Sequence, residues 1–146
     1  MAIEIDDRLL QFIHSHRVAH LATADASLGP LVVPVCFVFD GESFFTPIDQ
    51  KRKSVSASAL RRVQNIRENP RVALLFDDYS EDWDALSYLL IDGHAKILDP
   101  RTEAGMAHKA VIDLLRSKYP QYRSMDIDQN LLIQVEPRRV KFWSAR

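Results

Sequence analysis

Three consecutive cations, Lys51, Arg52 and Lys53, follow the aromatic segment Phe44-Phe45-Thr46 after a short connector, and Ser54, Ser56 and Ser58 come next. Arginine grips a phosphate through a bidentate fork, while lysine acts as a mobile point charge. The start of a helix adds unpaired N–H groups and a favourable field for an anion. The chemistry on offer is therefore anion capture, with a phosphate as the natural guest. Taken alone, a basic run this short also reads as a solvated turn.

Other reactive side chains assemble less readily. His14 and His16 straddle a predicted helix end and His20 lies on a strand, so no spacing converges them on a metal. His94 follows Gly93 on a strand and His108 sits on a helix face, both as ordinary surface histidines. The carboxylates of "DDYSEDWD" could do acid–base work if one were buried, but the run reads as a solvated loop. Trp83 within it is an apolar ring among acids that calls for cover from core or ligand. Cys36 lies in an apolar strand, where a thiol is inert. No GxGxxG, P-loop or nucleophile-elbow pattern occurs, which leaves dinucleotide-fold and acyl-transfer readings unsupported.

The elements that must position these groups are mostly strands. Asp6 and Asp7 cap a short helix with Leu9, Leu10, Phe12 and Ile13 as its apolar stripe. "RVAHLATA" reads as a strand, "DASLGP" as a turn, and Leu31–Phe39 as one unbroken strand covered on both faces, with Pro34 at a bulge or unpaired edge. Asp40-Gly41 marks a hairpin returning as "ESFFTP". A helix with Val55, Leu60, Val63 and Ile66 inward ends at Asn69-Pro70. "RVALLF" and a long strand bulged near Gly93 follow. A helix capped by Asp99 then runs to about Lys118 with Ala107, Val111, Leu114 and Leu115 inward. Two strands broken at Pro137 close the chain. Six or seven mostly antiparallel strands with peripheral helices describe a mainly β barrel.

Composition narrows the partners. The 146 residues are sized for a single domain, 1–146, and a net charge of −1 argues against broad binding to nucleic acid or anionic membrane. No window approaches a membrane span, the N-terminus does not read as a signal peptide, and the one cysteine fits a reducing cytoplasm.

The segments "LATADASLGPLVVPVCF", "GESFFTPIDQKRK", "NIRENPRVALLF" and "VEPRRVKFW" occur in the order seen in the pyridoxamine 5'-phosphate oxidase-like, FMN-binding split barrels. The chain resembles that family from about Phe12 to Trp143, and "EDWDALSYLLIDGHA" is similar to its branch of coenzyme F420-dependent enzymes. The resemblance implies a split β-barrel homodimer with FMN or the deazaflavin F420 at its interface. It implies hydride transfer to or from a small organic substrate, with a non-catalytic flavin carrier as the alternative. Pro34, Val35 and Cys36 would lie along the ring or ribityl chain, and Thr46 near the phosphate. Ungapped placement of the family's Arg-Lys pair falls on Lys51 and Arg52; a one-residue shift moves it to Arg52 and Lys53. Trp143 would approach the cofactor from the partner subunit or else plug the barrel end. Family oxidases extend beyond this tryptophan into a substrate-binding segment. With Arg146 the last residue, pyridoxamine phosphate oxidation is not expected.

Overall fold

The computed structural model describes residues 3–49, 57–103 and 106–146. In chain order the elements are α1 (Asp7–Ser15), β1 (Ala19–Asp25), β2 (Gly29–Val35), β3 (Val38–Phe39), β4 (Phe44–Pro47) and α2 (Ala57–Glu68). They continue with β5 (Arg71–Asp78), β6 (Ser87–Leu98), α3 (Pro100–Glu103), α4 (Met106–Lys118) and β7 (Leu132–Ser144). The strands form one seven-stranded sheet in the order β2-β1-β5-β6-β7-β4-β3, and every pair is antiparallel.

That order forces closure. β2 and β3 are the two outermost strands, yet only Cys36 and Phe37 separate them in sequence. Three peptide steps span at most about 11 Å, so the two ends of the sheet must meet. The sheet curls into a barrel with a seam at Cys36-Phe37.

Inside the barrel, Leu21, Phe37, Phe44, Leu74, Phe76, Leu89 and Ile91 form the main core, joined by Ile13 from α1 and by Val63 and Ile66 from α2. Phe37 and Phe76 meet edge to face at 5.1 Å, a geometry the ring quadrupoles favour. A second cluster packs Val111, Ile112 and Leu115 of α4, with Tyr119, Tyr122 and Ile127, against Val38, Phe45 and Leu132. Local signals hold where they were readable. The Asp6 carboxylate accepts from the Leu9 N–H at 2.9 Å, capping α1. Asp40 accepts from the Glu42 and Ser43 N–H groups at the hairpin, with Gly41 at φ 103.

Four expectations need correction. Leu31–Phe39 is two strands, and β2 is not covered on both faces; its residues alternate between half-buried and exposed, with Val32 62% exposed. As the last strand of the sheet, β2 leaves its outward side open, and Pro34 sits on this edge strand as the missing N–H requires. The helix expected from Pro100 to Lys118 is described over Pro100–Glu103 and Met106–Lys118, and within α4 Ile112 turns inward while Ala107 and Leu114, expected inward, are exposed. Val55 lies outside the described residues, as does the side chain of Leu60.

The fourth correction concerns Pro137. β7 runs unbroken from Leu132 to Ser144, because Pro137 falls opposite Gly93 at a bulge in the β6–β7 ladder. The register passes from Asp92↔Arg139 to Gly93↔Pro137, which leaves Arg138 as the extra residue. A Cβ on Gly93 would meet the Glu136 carbonyl oxygen and Val135 Cγ1, each at 2.7 Å. The absent side chain is what lets the two longest strands stay paired through the bulge here. Gly93→Ala should lower stability by about 1–3 kcal/mol, the range for overpacking a tight site. Urea denaturation checks this, and an unchanged midpoint would show that the strands yield freely.

Candidate functional site

At the seam, the backbone of Phe37 has left one ladder without being paired in the next, and a buried amide cannot remain unsatisfied. Tyr119 and Lys118, at the end of α4, supply the partners. The Phe37 N–H donates to the Tyr119 hydroxyl at 3.0 Å. That hydroxyl lies within hydrogen-bond reach of the Phe37 carbonyl at 3.1 Å and the Arg17 carbonyl at 2.8 Å. Lys118 Nζ donates to the Phe37 carbonyl at 3.1 Å and sits 3.6 Å from the centre of the Phe37 ring. Burial pushes the Tyr119 hydroxyl up to about 12. Burial, then the nearby Arg17 charge, hold the Lys118 ammonium down to about 8, against a smaller opposing effect of Cys36.

The exit from β4 is held by a second set of contacts. The Ile48 N–H donates to the Leu131 carbonyl at 3.0 Å, and Asp49 accepts from the Tyr122 hydroxyl at 2.8 Å. Burial drives the Tyr122 hydroxyl well above its ordinary range; the Asp49 bond and charge, and a bond with Cys36, push the same way. Arg62 of α2 is half-buried, which lowers its pKa, while Asp49 opposes that shift. Asp49 therefore ties the strand exit, through Tyr122, to the seam, and its charge is felt by Arg62 of α2. A cleft of about 320 Å³ opens beside Ile48, lined by Arg67, Asp99, Arg101, Gln129, Asn130 and Leu131. Three hydrogen bonds from Arg101 to Asp99 hold that carboxyl down to about 2.

The sequence candidates fall as follows. Pro34 is exposed on β2, Val35 is buried at its end, and Cys36 is half-buried at the seam beside Tyr122. Thr46 is buried in β4, 4% exposed and opposite Ile133 of β7. Lys51, Arg52 and Lys53 lie outside the described residues, together with Ser54 and Ser56. Trp143 does not plug the barrel. It is 42% exposed and stacks on Tyr88 with ring centres 5.7 Å apart, on the outward side of the sheet. Trp83 finds no cover within this chain, being 69% exposed. His16 bonds Asp78 at 2.8 Å and the Phe12 carbonyl at 2.7 Å, which ties α1 to β5. Among the described residues no group of three or more His, Cys, Asp or Glu is placed to hold a metal, and no helix is long and apolar enough to cross a membrane.

Sequence reasoning missed Asp49, Arg62, Lys118, Tyr119 and Tyr122. The two tyrosines flank a proline just past a helix, a pattern that carries no signal of the strands they serve.

With this geometry in view, the chain can be placed among known proteins. The family model described as pyridoxamine 5'-phosphate oxidase matches residues 5–144, and the chain belongs to that family. A pyridoxamine 5'-phosphate oxidase homolog of Saccharomyces cerevisiae is 35% identical over 75 residues; the match covers 49% of this chain and only 38% of the yeast protein. The split-barrel fold is shared with Rv2991, a conserved hypothetical protein of Mycobacterium tuberculosis. Its crystal structure has a TM-score of 0.73 at 22% identity, over 99% of this chain and 88% of that one. It is also shared with HutZ, the heme storage protein of Vibrio cholerae, with a TM-score of 0.69 at 17% identity over 97% and 95% of the two chains. A FAD-binding protein of Mesorhizobium loti has a TM-score of 0.68 at 18% identity over 92% and 89%. At these identities the likeness is one of fold.

The depressed pKa of Lys118 has a sign that can be tested. Its folded value of about 8 lies below the ordinary 10.5, so between those values the unfolded chain holds a proton that the folded chain has released. Stability from this group therefore rises as pH climbs through that window. The stability of the wild type relative to Lys118→Met should shift toward the wild type between about pH 8 and pH 10.5. Denaturant curves that run parallel across that range would contradict the assignment.

Proposed function

We propose that this protein binds a flavin-type coenzyme, FMN or the deazaflavin F420, and serves as an oxidoreductase on a small organic substrate. The reading is carried by the family match over residues 5–144, which takes in both the seam and the exit from β4. The FAD-binding protein that shares the fold supports it further. The residues present fit such a group. The seam offers a backbone fixed from behind by Tyr119 and Lys118. Thr46 places a hydroxyl just ahead of the basic run, and Asp49 is already engaged by Tyr122 near Arg62.

When bound, the tricyclic ring supplies the hydride chemistry. The chain's own residues bind, orient and exclude water. Pro34, Val35 and Cys36 would present backbone along the ring, Thr46 would donate toward the phosphate, and Lys51 to Lys53 would neutralise it. The tail of F420 carries more negative charge than FMN, and the resemblance of "EDWDALSYLLIDGHA" to the deazaflavin branch favours F420. A homodimer would complete the site in this reading: Trp143 and Tyr88 form an aromatic pair on the outward sheet face, and this pair would meet the partner's coenzyme.

Storage or carriage of flavin without turnover is the second reading, favoured by the fold shared with a protein named for heme storage. Hydride transfer from the reduced, reconstituted protein to an electron acceptor separates the two.

Lys51→Ala combined with Arg52→Ala should weaken FMN and F420 binding at least tenfold, since hydrogen bonds from charged groups contribute about 1.5–3 kcal/mol each. The melting temperature of the coenzyme-free protein should hardly move, because in this reading the two charges serve the phosphate rather than the fold. Equilibrium dialysis measures the affinities, and values equal to those of the wild type would remove the phosphate clamp.

A further inference from the structure

The outward face of the barrel holds a cleft of about 630 Å³ that the coenzyme reading does not use. Its floor is made of small residues, Ala22 and Ala24 of β1, Ala73 of β5 and Gly93 of β6. Paired residues of an antiparallel ladder share a face, so Ala73, Asp92 and Arg139 stand in one row across β5, β6 and β7. Arg71 and His94 pair in the next. Strand alternation would turn Arg138 away from Arg139. The bulge cancels that alternation, and both side chains are exposed and line the same cleft.

Three arginines thus converge on one hollow, with Asp92 the one carboxylate lining it and His94 adding a further donor. Arg138 reaches Glu136 at 3.6 Å; among the described residues Arg71 and Arg139 form no salt bridge. Guanidinium groups lining one hollow repel one another, and an anion joining them relieves that repulsion. The planar forks suit carboxylate and phosphate oxygens. The floor of alanines and glycine leaves room for a molecule larger than a single ion. We propose that this cleft binds an organic anion bearing at least two carboxylate or phosphate groups. Arg139 lies four residues from Trp143 along β7, about 13 Å at strand rise, so the site is separate from the aromatic pair. The proposal does not depend on which coenzyme the protein binds, or on whether it binds one.

Isothermal titration of coenzyme-free protein with citrate and with pyrophosphate, in low and high salt, tests it. Citrate reports carboxylate recognition and pyrophosphate reports phosphate recognition. The wild type should bind at least one of them saturably, and more weakly as salt rises. Arg138→Gln with Arg139→Gln should weaken that binding tenfold or more, and Arg71→Gln should do so independently from another strand. Asp92→Asn should tighten it. Lys109→Gln, on α4 and paired with Asp113, should leave it unchanged. Far-ultraviolet circular dichroism confirms that each variant is folded. Absence of saturable binding to either probe by the wild type would overturn the proposal. Equal affinity in the wild type and in folded arginine variants from both strands would do so as well.

Discussion

Closure of the sheet through a two-residue link is the constraint on which the rest of this structure depends. Strands at opposite ends of a seven-stranded order, β2 and β3, are neighbours in sequence, and Cys36-Phe37 must bridge them. The link leaves the Phe37 backbone without a ladder partner. One tyrosine and one lysine from the end of α4 restore its hydrogen bonds, at the cost of a desolvated amine. The second core cluster follows from this, since α4 can reach the seam only by packing Val111, Ile112 and Leu115 beside β3 and β4. The seam is also where the family resemblance places the coenzyme ring. A rigid closure and a proposed binding edge thus occupy the same few residues.

The other side of the barrel is governed by the bulged pairing of β6 and β7. These strands pair over nearly their whole lengths, and at Gly93 the space a side chain would need is filled by Glu136 and Val135 of β7. One extra residue there changes the direction of the side chains that follow. Packing and recognition are linked through that residue: the same bulge that accommodates Pro137 brings Arg138 and Arg139 to one side.

Much of this was legible in the sequence where the determining contacts are local. The Asp6 cap, the Asp40-Gly41 hairpin and the end of α2 at Asn69-Pro70 each depend on a few neighbouring residues. The antiparallel, mainly β class followed from the succession of hairpins. What was not legible depends on sheet order. Nothing in "LVVPVCFVF" tells that β2 ends the sheet with Val32 exposed, or that the run breaks at Cys36-Phe37. Pro137 looked like a terminator because its partner, a glycine on another strand, is invisible to a linear reading. For the proposed site, Thr46 and the seam residues come from the family resemblance alone. Tyr119, Tyr122 and Asp49 could not, since their partners lie far away in the chain.

The central claim is that the seam strand and the end of β4 together receive a flavin-type coenzyme. A crystal structure of the protein grown with FMN or F420 examines it most directly. The ring should lie along Pro34 to Cys36, with the phosphate beyond Thr46 and in contact with the cations that follow. A coenzyme bound elsewhere, with Cys36 and Thr46 both remote from it, would contradict the claim.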